Sequence, residues 1–139
     1  MKELKKAKEI LFSGGYTCVL CKGDKVLTSK ERGVKPLVQW LETELDFGGF
    51  FAADKVVGRA TAYLYVRLGV TAVYAEVISK PALDVLKRNN IFTEYNILAE
   101  NIINRKGDDI CPFEKAVLNI EDAALAHKAI IKKIKEMGI

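Results

Sequence analysis

The chain has 139 residues, half of them hydrophobic, and 22 Lys and Arg against 18 Asp and Glu leave a net charge of +4. This composition excludes a disordered chain, and the length fits one domain with its own core. No apolar run approaches the ~20 residues that a membrane helix needs, and the basic N-terminus lacks the apolar centre of an export signal. We therefore expect one domain over residues 1–139, in the cytoplasm and without membrane contact.

The positive charge is concentrated at the two ends of the chain, in lysines 2, 5, 6 and 8 and in lysines 128, 132, 133 and 135. Surfaces that bind single-stranded nucleic acid place aromatic residues among such charges. The two lysine clusters contain almost none, so they are typical of solvated helix faces. We expect no nucleic-acid partner.

The first half of the chain opens with a predicted helix at 2–13, which ends at a pair of glycines. Strand-forming residues at 16–21 and 25–29 flank a Gly23-Asp24 turn and predict a hairpin. Apolar residues then recur at helical spacing over 34–45. Residues 52–68 are so apolar that we predict a helix buried between layers, in which Gly58 is an interior residue.

The second half predicts a strand at 71–78 and a helix that Ser79 caps. One or two strands over 92–104, a polar loop, a short helix opening at Cys111 and a last helix at 121–136 complete the chain. A strand–helix–strand crossover implies a parallel pair of strands. The fold expected is α/β and three-layered, with a mixed sheet flanked by helices.

Two of the predicted helix starts resemble those of the cytidine deaminases. Zinc deaminases carry H-x-E at one helix start and P-C-x-x-C at the next, with the His about 30 positions before the first Cys. When Pro81 is matched to the signature proline, the zinc ligands fall on Ala52, Ala82 and Val85, and the acid falls on Asp54. The resemblance implies a cytidine-deaminase-like fold without the zinc ligands, so we expect no metal and no cofactor.

A zinc site elsewhere would have to use the three cysteines and the single histidine, His127. Cys18 and Cys21 have the spacing of a metal half-site, but we place them on a strand, where residues three apart point to opposite faces. An odd number of cysteines without an export signal favours free thiols.

The whole chain resembles a small, uncharacterised prokaryotic family that has a deaminase-like fold and no assigned activity. Residues 28–37, 53–60 and 104–114 carry this resemblance. Membership would imply the fold and no particular reaction.

Two residues are candidate catalytic groups. Asp54 falls in the first turn of the predicted 52–68 helix, where a negative charge is favourable; the alternative is that it serves only as a cap. Cys111 precedes a proline at a helix start, a setting that favours the thiolate. The alternative for Cys111 is a small core residue, because no histidine base is available.

Further residues are candidates for binding an anion such as phosphate. Lys55 is poorly placed in a first helical turn unless it meets an anion beside free N–H groups, and Gly58 indicates that something approaches the backbone. The alternatives are solvated lysine, close packing and a plain surface turn. The candidate ligand-binding residues are Ser29, Gly33, Lys35, Lys55, Gly58, Arg59, Ser79, Asn104, Arg105 and Glu114.

Three functions remain open at the level of sequence. The favoured one is a non-catalytic domain that binds a nucleotide or another phosphorylated small molecule. The second is a zinc-independent enzyme that uses Asp54 or Cys111. The third is a structural module that works as a homo-oligomer.

Overall fold

The computed structural model describes residues 1–104 and 106–139. The helices and strands follow the order expected, except that residues 51–57 form a strand. They are α1 (Lys2–Gly14), β1 (Cys18–Lys22), β2 (Lys25–Ser29), α2 (Lys35–Glu42), β3 (Phe51–Val57), α3 (Arg59–Leu68), β4 (Ala72–Ser79), α4 (Lys80–Arg88), β5 (Phe92–Ala99), α5 (Pro112–Ala116) and α6 (Ala123–Met137).

The five strands form one mixed sheet in the order β2-β1-β3-β4-β5. Strand β1 is antiparallel to both β2 and β3, whereas β3, β4 and β5 are parallel. Helix α1 covers one face, and the larger apolar core lies between the other face and helices α2, α3, α4 and α6. This is the predicted three-layer α/β architecture.

One edge of the sheet collects several chain segments. Because β3 and β4 are parallel, they end at the same edge of the sheet. Val57, the last residue of β3, pairs with Ile78 of β4, and helices α3 and α4 both begin beyond this edge. Strand β1 runs the other way, so it starts here, and its first residue, Cys18, pairs with Asp54 of β3. The register therefore brings Cys18 and Asp54 together close to the start of α3.

The predicted helix at 52–68 is wrong in its first half. Residues Phe51–Val57 form β3, a strand paired on both sides, and Gly58 precedes the helix as its N-terminal cap with extended backbone (φ −95°, ψ 178°). Alanine and valine fill a buried strand as readily as a buried helix, and an unbroken apolar run does not distinguish the two. Asp54 and Lys55 therefore lie on a strand, and the argument from the helix dipole does not apply to them.

This error also removes the register that matched Ala52 to a zinc-binding histidine. Ala52 lies inside β3, five residues before the end of the strand, or ~16 Å at ~3.3 Å per residue. Ala82 and Val85 are in helix α4, which starts beyond the opposite end of the parallel strands. Within residues 1–104 and 106–139, no three His, Cys, Asp or Glu side chains lie close enough together to hold a metal ion.

The prediction for Cys18 and Cys21 is confirmed. Both lie on β1 and are buried, and Cys18 belongs to the core beneath α3 whereas Cys21 belongs to the core beneath α1. They therefore point to opposite faces, and all three cysteines are free thiols.

In the described parts of the chain, none of the helices combines the length and apolar character that crossing a membrane requires.

Candidate functional site: a cavity at the start of helix α3

A cavity of about 860 Å³ opens at the edge of the sheet where β1 begins and β3 ends. Its wall is built from the start of β1, the connection 31–34, the end of β3 with the first turn of α3, the segment between 102 and 114, and the end of α6. This volume lies within the range of small-molecule binding sites, about 300–1,000 Å³.

The structure brings most of the predicted site residues to this cavity. Those that line it are Gly33, Asp54, Lys55, Gly58, Asn104, Cys111 and Glu114. Four others do not line it: Ser29, Lys35, Arg59 and Ser79. Arg105 lies outside the described residues.

Asp54 is the most unusual group in the cavity wall. Its carboxyl is buried, with only 7 % of the residue exposed, yet it lines the cavity. The Tyr65 hydroxyl donates to Asp54 Oδ2 over 2.6 Å, and the backbone N–H of Val56 donates to Oδ1 over 3.2 Å. The same Tyr65 oxygen lies 3.1 Å from Cys18 Sγ, so a buried chain of three polar groups ends at the cavity.

Burial raises the pKa of Asp54 to about 7, although the hydrogen bonds from Tyr65 and Val56 act in the opposite direction. Burial also raises the pKa values of Cys18 and Tyr65 well above their ordinary range, so both stay protonated at neutral pH. Of the three hydrogen-bonded groups Cys18, Tyr65 and Asp54, Asp54 is therefore the one that exchanges a proton near pH 7.

Glu114 is also buried and lines the cavity, but its carboxylate is hydrogen-bonded to the protein backbone. It accepts the backbone N–H of Arg59 over 2.6 Å and of Ala60 over 2.8 Å, which are the first two residues of α3. A methyl group on Gly58 would lie only 2.5 Å from Glu114 Oε1. Gly58 therefore does mark a close approach to the backbone, and the approaching group is Glu114.

This contact corrects two sequence expectations. The sequence predicts Glu114 as a ligand-binding residue, and its carboxylate caps α3 instead. The sequence predicts free N–H groups for an anion at a helix start beside Lys55, but the helix starts at Arg59 and two of its first N–H groups bind the Glu114 carboxylate. The fold supplies its own anion at this helix start.

Arg59 has a structural position. Its guanidinium donates to the backbone oxygens of Val117 (3.2 Å) and Ile120 (2.6 Å) and to the Tyr63 hydroxyl (3.1 Å). These bonds tie the start of α3 to the segment between α5 and α6. The side chain therefore points away from the cavity, contrary to the expectation that it binds a ligand.

The remaining predicted residues serve local structure. Ser79 is buried and caps α4, as predicted, by accepting the N–H of Ala82 over 3.2 Å. The Ser29 hydroxyl accepts the N–H of Glu31 within the β2–α2 connection. Lys35 lines a smaller neighbouring hollow of about 240 Å³.

Three exposed cations line the cavity at its outer part, namely Arg32, Lys55 and Lys106. Within the described chain none of them forms an ion pair. Two nearby acids do have partners, since Asp109 pairs with Lys115 and Asp108 accepts from Asn104. The outer part of the cavity therefore holds three cations without an ion-pair partner, beside the exposed acids Glu31 and Asp108.

Cys111 lines the cavity and is partly exposed. It precedes α5, which has only five residues. The single histidine, His127, does not line the cavity, so the thiol has no histidine base there.

Sequence reasoning missed Cys18, Thr61 and Tyr65 as parts of this site. Cys18 and Thr61 line the cavity, and Tyr65 holds Asp54 from behind. The 11-residue separation of Tyr65 from Asp54 carries no local pattern, since one lies on a strand and the other on the next helix. The cross-strand pairing of Cys18 with Asp54 is equally invisible in a single sequence.

A family model, described as TM1506, Domain of unknown function (DUF1893), matches residues 6–134. The chain belongs to the DUF1893 family. The crystal structure of a DUF1893 family protein (TM1506) from Thermotoga maritima is similar, with a TM-score of 0.87 and 27 % identity over 95 % of this chain and 90 % of that one. The predicted membership of an uncharacterised family is thereby confirmed.

A second solved structure, the dCMP deaminase from the cyanophage S-TIM5 in apo form, is only weakly similar to this DUF1893 chain. Its TM-score is 0.45 and its identity 16 %, over 68 % of this chain and 94 % of that one. No curated protein matches. The function of this DUF1893 chain therefore has to be approached through its own residues.

Proposed function

We propose that this protein is a small-molecule-binding domain whose ligand, a nucleotide or another phosphorylated molecule, occupies the cavity beside Asp54. The observation that carries the proposal is the combination of a cavity of about 860 Å³ with the uncommitted cations Arg32, Lys55 and Lys106. Phosphate oxygens form strong, charge-assisted hydrogen bonds with such side chains. The phosphate would bind at the outer part of the cavity, because the N–H groups of Arg59 and Ala60 hold Glu114.

A thermal-shift series tests this proposal with inorganic phosphate, ribose 5-phosphate and adenosine 5'-monophosphate. A ligand at 100 times its Kd adds about 2.7 kcal/mol to the free energy of unfolding. For a chain of this size that gain raises Tm by several degrees. We expect such a shift with at least one organic phosphate.

Matched lysine variants locate the binding site. Lys55→Ala removes a cation of the cavity, whereas Lys87→Ala removes an exposed cation of α4 that does not line it. We expect the ligand-induced shift to fall by more than half in the first variant and to persist in the second. Equal shifts in both variants, or no shift with any phosphorylated probe, would contradict the proposal.

A second candidate function is supported by the buried carboxyl of Asp54 in the cavity wall, where burial raises its pKa to about 7. A general acid or base works best when its pKa lies near the working pH. In this alternative, Asp54 transfers a proton to or from a bound substrate. Cys111 is the weaker candidate, because no histidine lines the cavity to activate its thiol.

The two candidates differ in what happens to a ligand that binds. If the protein is an enzyme, ¹H and ³¹P NMR spectra should show the ligand changing with time, and the change should stop in Asp54→Asn while binding persists. If the ligand is recovered unchanged, the chain binds without catalysis.

A further inference from the structure

The hydrogen bonds around Asp54 indicate which kind of ligand group would meet it. Both protein partners of its carboxylate are donors, the Tyr65 hydroxyl at 2.6 Å and the Val56 N–H at 3.2 Å. A separation of 2.6 Å is typical of an O–H group donating to an ionised carboxylate. The Tyr65 proton is then committed to Asp54, and the Cys18 thiol donates to the Tyr65 oxygen.

This arrangement leaves acceptor capacity on Asp54 unused. An ionised carboxylate has about four lone-pair positions. Tyr65 and Val56 occupy two of them, and Asp54 lines the cavity. A group that enters the cavity and reaches Asp54 is therefore met by acceptors.

The site also lacks a counter-charge. Asp54 is buried, with only 7 % of the residue exposed. Over the described residues, no Lys, Arg or His side chain forms an ion pair with it. Lys55 follows it in sequence, but its side chain is exposed and forms no ion pair with the carboxylate. Buried charges in proteins are usually paired, because an unpaired one is costly. The missing cation is what a ligand could supply.

We propose that the inner end of the ligand carries an N–H donor, best a protonated amine or amidine, which pairs with the Asp54 carboxylate. This inference rests on the proposed function and deepens it. The ligand class becomes a phosphorylated amine, or a nucleotide with an amino edge, held with nitrogen against Asp54 and phosphate near Arg32, Lys55 and Lys106.

Pairs of probes that differ in one amine test the inference by isothermal titration. One pair is O-phosphoethanolamine and ethyl phosphate, and the other is adenosine 5'-monophosphate and purine riboside 5'-monophosphate. We expect the amine-bearing member of at least one pair to bind about 10- to 100-fold more tightly, as for a hydrogen bond to a charged group.

The outcomes separate this inference from the proposed function. Equal affinities within both pairs, or tighter binding of the member without the amine, would overturn the inference and leave the phosphate-binding proposal standing. If neither member of either pair binds, the proposed function fails and the inference falls with it.

Asp54→Asn gives an independent readout, with Asp24→Asn, an exposed turn residue, as the matched control. We expect the preference for the amine to disappear in Asp54→Asn and to remain in Asp24→Asn. A preference that survives in Asp54→Asn would show that another group reads the amine.

The pH dependence of the amine preference tests whether Asp54 binds the ligand as an ionised carboxylate. The preference of the wild-type protein for O-phosphoethanolamine over ethyl phosphate should grow between pH 6 and pH 8.5, because Asp54 becomes ionised over this range. The other charged groups that line the cavity are Glu31, Arg32, Lys55, Lys106, Asp108, Asp109 and Glu114. The phosphates of the two probes titrate differently, so the preference of Asp54→Asn at each pH serves as the baseline. A preference that falls as the pH rises would mean that Asp54 donates a proton to its ligand, which contradicts the inference.

Discussion

Glu114 and Gly58 are complementary in shape, since the Glu114 carboxylate occupies the space in which a side chain at position 58 would lie. Oε1 of Glu114 would be 2.5 Å from a methyl group built there, while both of its oxygens bind the first N–H groups of α3. The contact joins helix α5 to the start of helix α3, through residues that are 55 positions apart in the sequence. Four experiments follow from this contact and from the cavity that it borders.

Gly58→Ala should destabilise the protein by about 2–3 kcal/mol, because the methyl group displaces Glu114 and leaves buried N–H groups unpaired. The backbone at Gly58 (φ −95°) is one that alanine also adopts, so the cost comes from the clash. Urea unfolding measures it. In a Glu114→Ala background the clash is absent, and the same Gly58→Ala change should cost less than about 1 kcal/mol. Equal costs in both backgrounds would argue against the contact.

Arg59→Met should lower the free energy of unfolding by about 2–4 kcal/mol, since the guanidinium bonds to two backbone oxygens and to Tyr63 are lost. Arg67→Met, which removes an exposed arginine of the same helix, should cost less than about 0.5 kcal/mol. The affinity of folded Arg59→Met for a phosphorylated ligand should stay within about twofold of wild type, because Arg59 does not line the cavity. A large loss of affinity with unchanged stability would return Arg59 to the binding site.

The buried carboxyl of Asp54 should make the protein less stable as the pH rises. Its pKa is about 7 in the folded protein, above its ordinary value of 3.8, so the folded state binds the proton more tightly than the unfolded state. The resulting stability is fully present below the unfolded pKa and is lost as the pH rises through 7. At 1.36 kcal/mol per pKa unit the loss amounts to at most about 4 kcal/mol.

Asp54→Asn isolates this effect. Urea unfolding at several pH values between 5 and 8.5 should show the variant becoming more stable relative to wild type as the pH rises, with a plateau above pH 7. Burial lowers the pKa of His127, so its titration changes the stability with the opposite sign, and its contribution cancels in the comparison. If the difference between the two proteins does not change with pH, the Asp54 carboxyl is not perturbed as described.

The three thiols should differ in reactivity towards Ellman's reagent. Cys18 and Cys21 are 2 % and 0 % exposed, whereas Cys111 is partly exposed in the wall of the cavity. We expect one fast-reacting thiol in the folded protein and three in denaturant, with the fast phase absent in Cys111→Ser. A ligand that fills the cavity should slow the Cys111 reaction, and reaction of all three thiols at one rate would contradict the burial of β1.

The class of fold could be predicted from the sequence, because that class depends on local patterns. Apolar periodicity, caps such as Ser79 and turns such as Gly23-Asp24 give nearly all of the elements and their order. The alternation of a strand also placed Cys18 and Cys21 on opposite faces. The same kind of pattern failed at residues 51–57, where an apolar strand buried on both faces has no periodicity that separates it from a helix.

The contacts between polar side chains could not be predicted, because they depend on the tertiary structure. Asp54 was singled out from the sequence as a charge at a helix start, and its real environment is set by Cys18, paired with it across two strands, and by Tyr65 on the following helix. Glu114 lies in α5 and caps a helix that begins 55 residues earlier. Such contacts depend on how layers and strands are arranged in space. A single sequence records that arrangement in no local pattern.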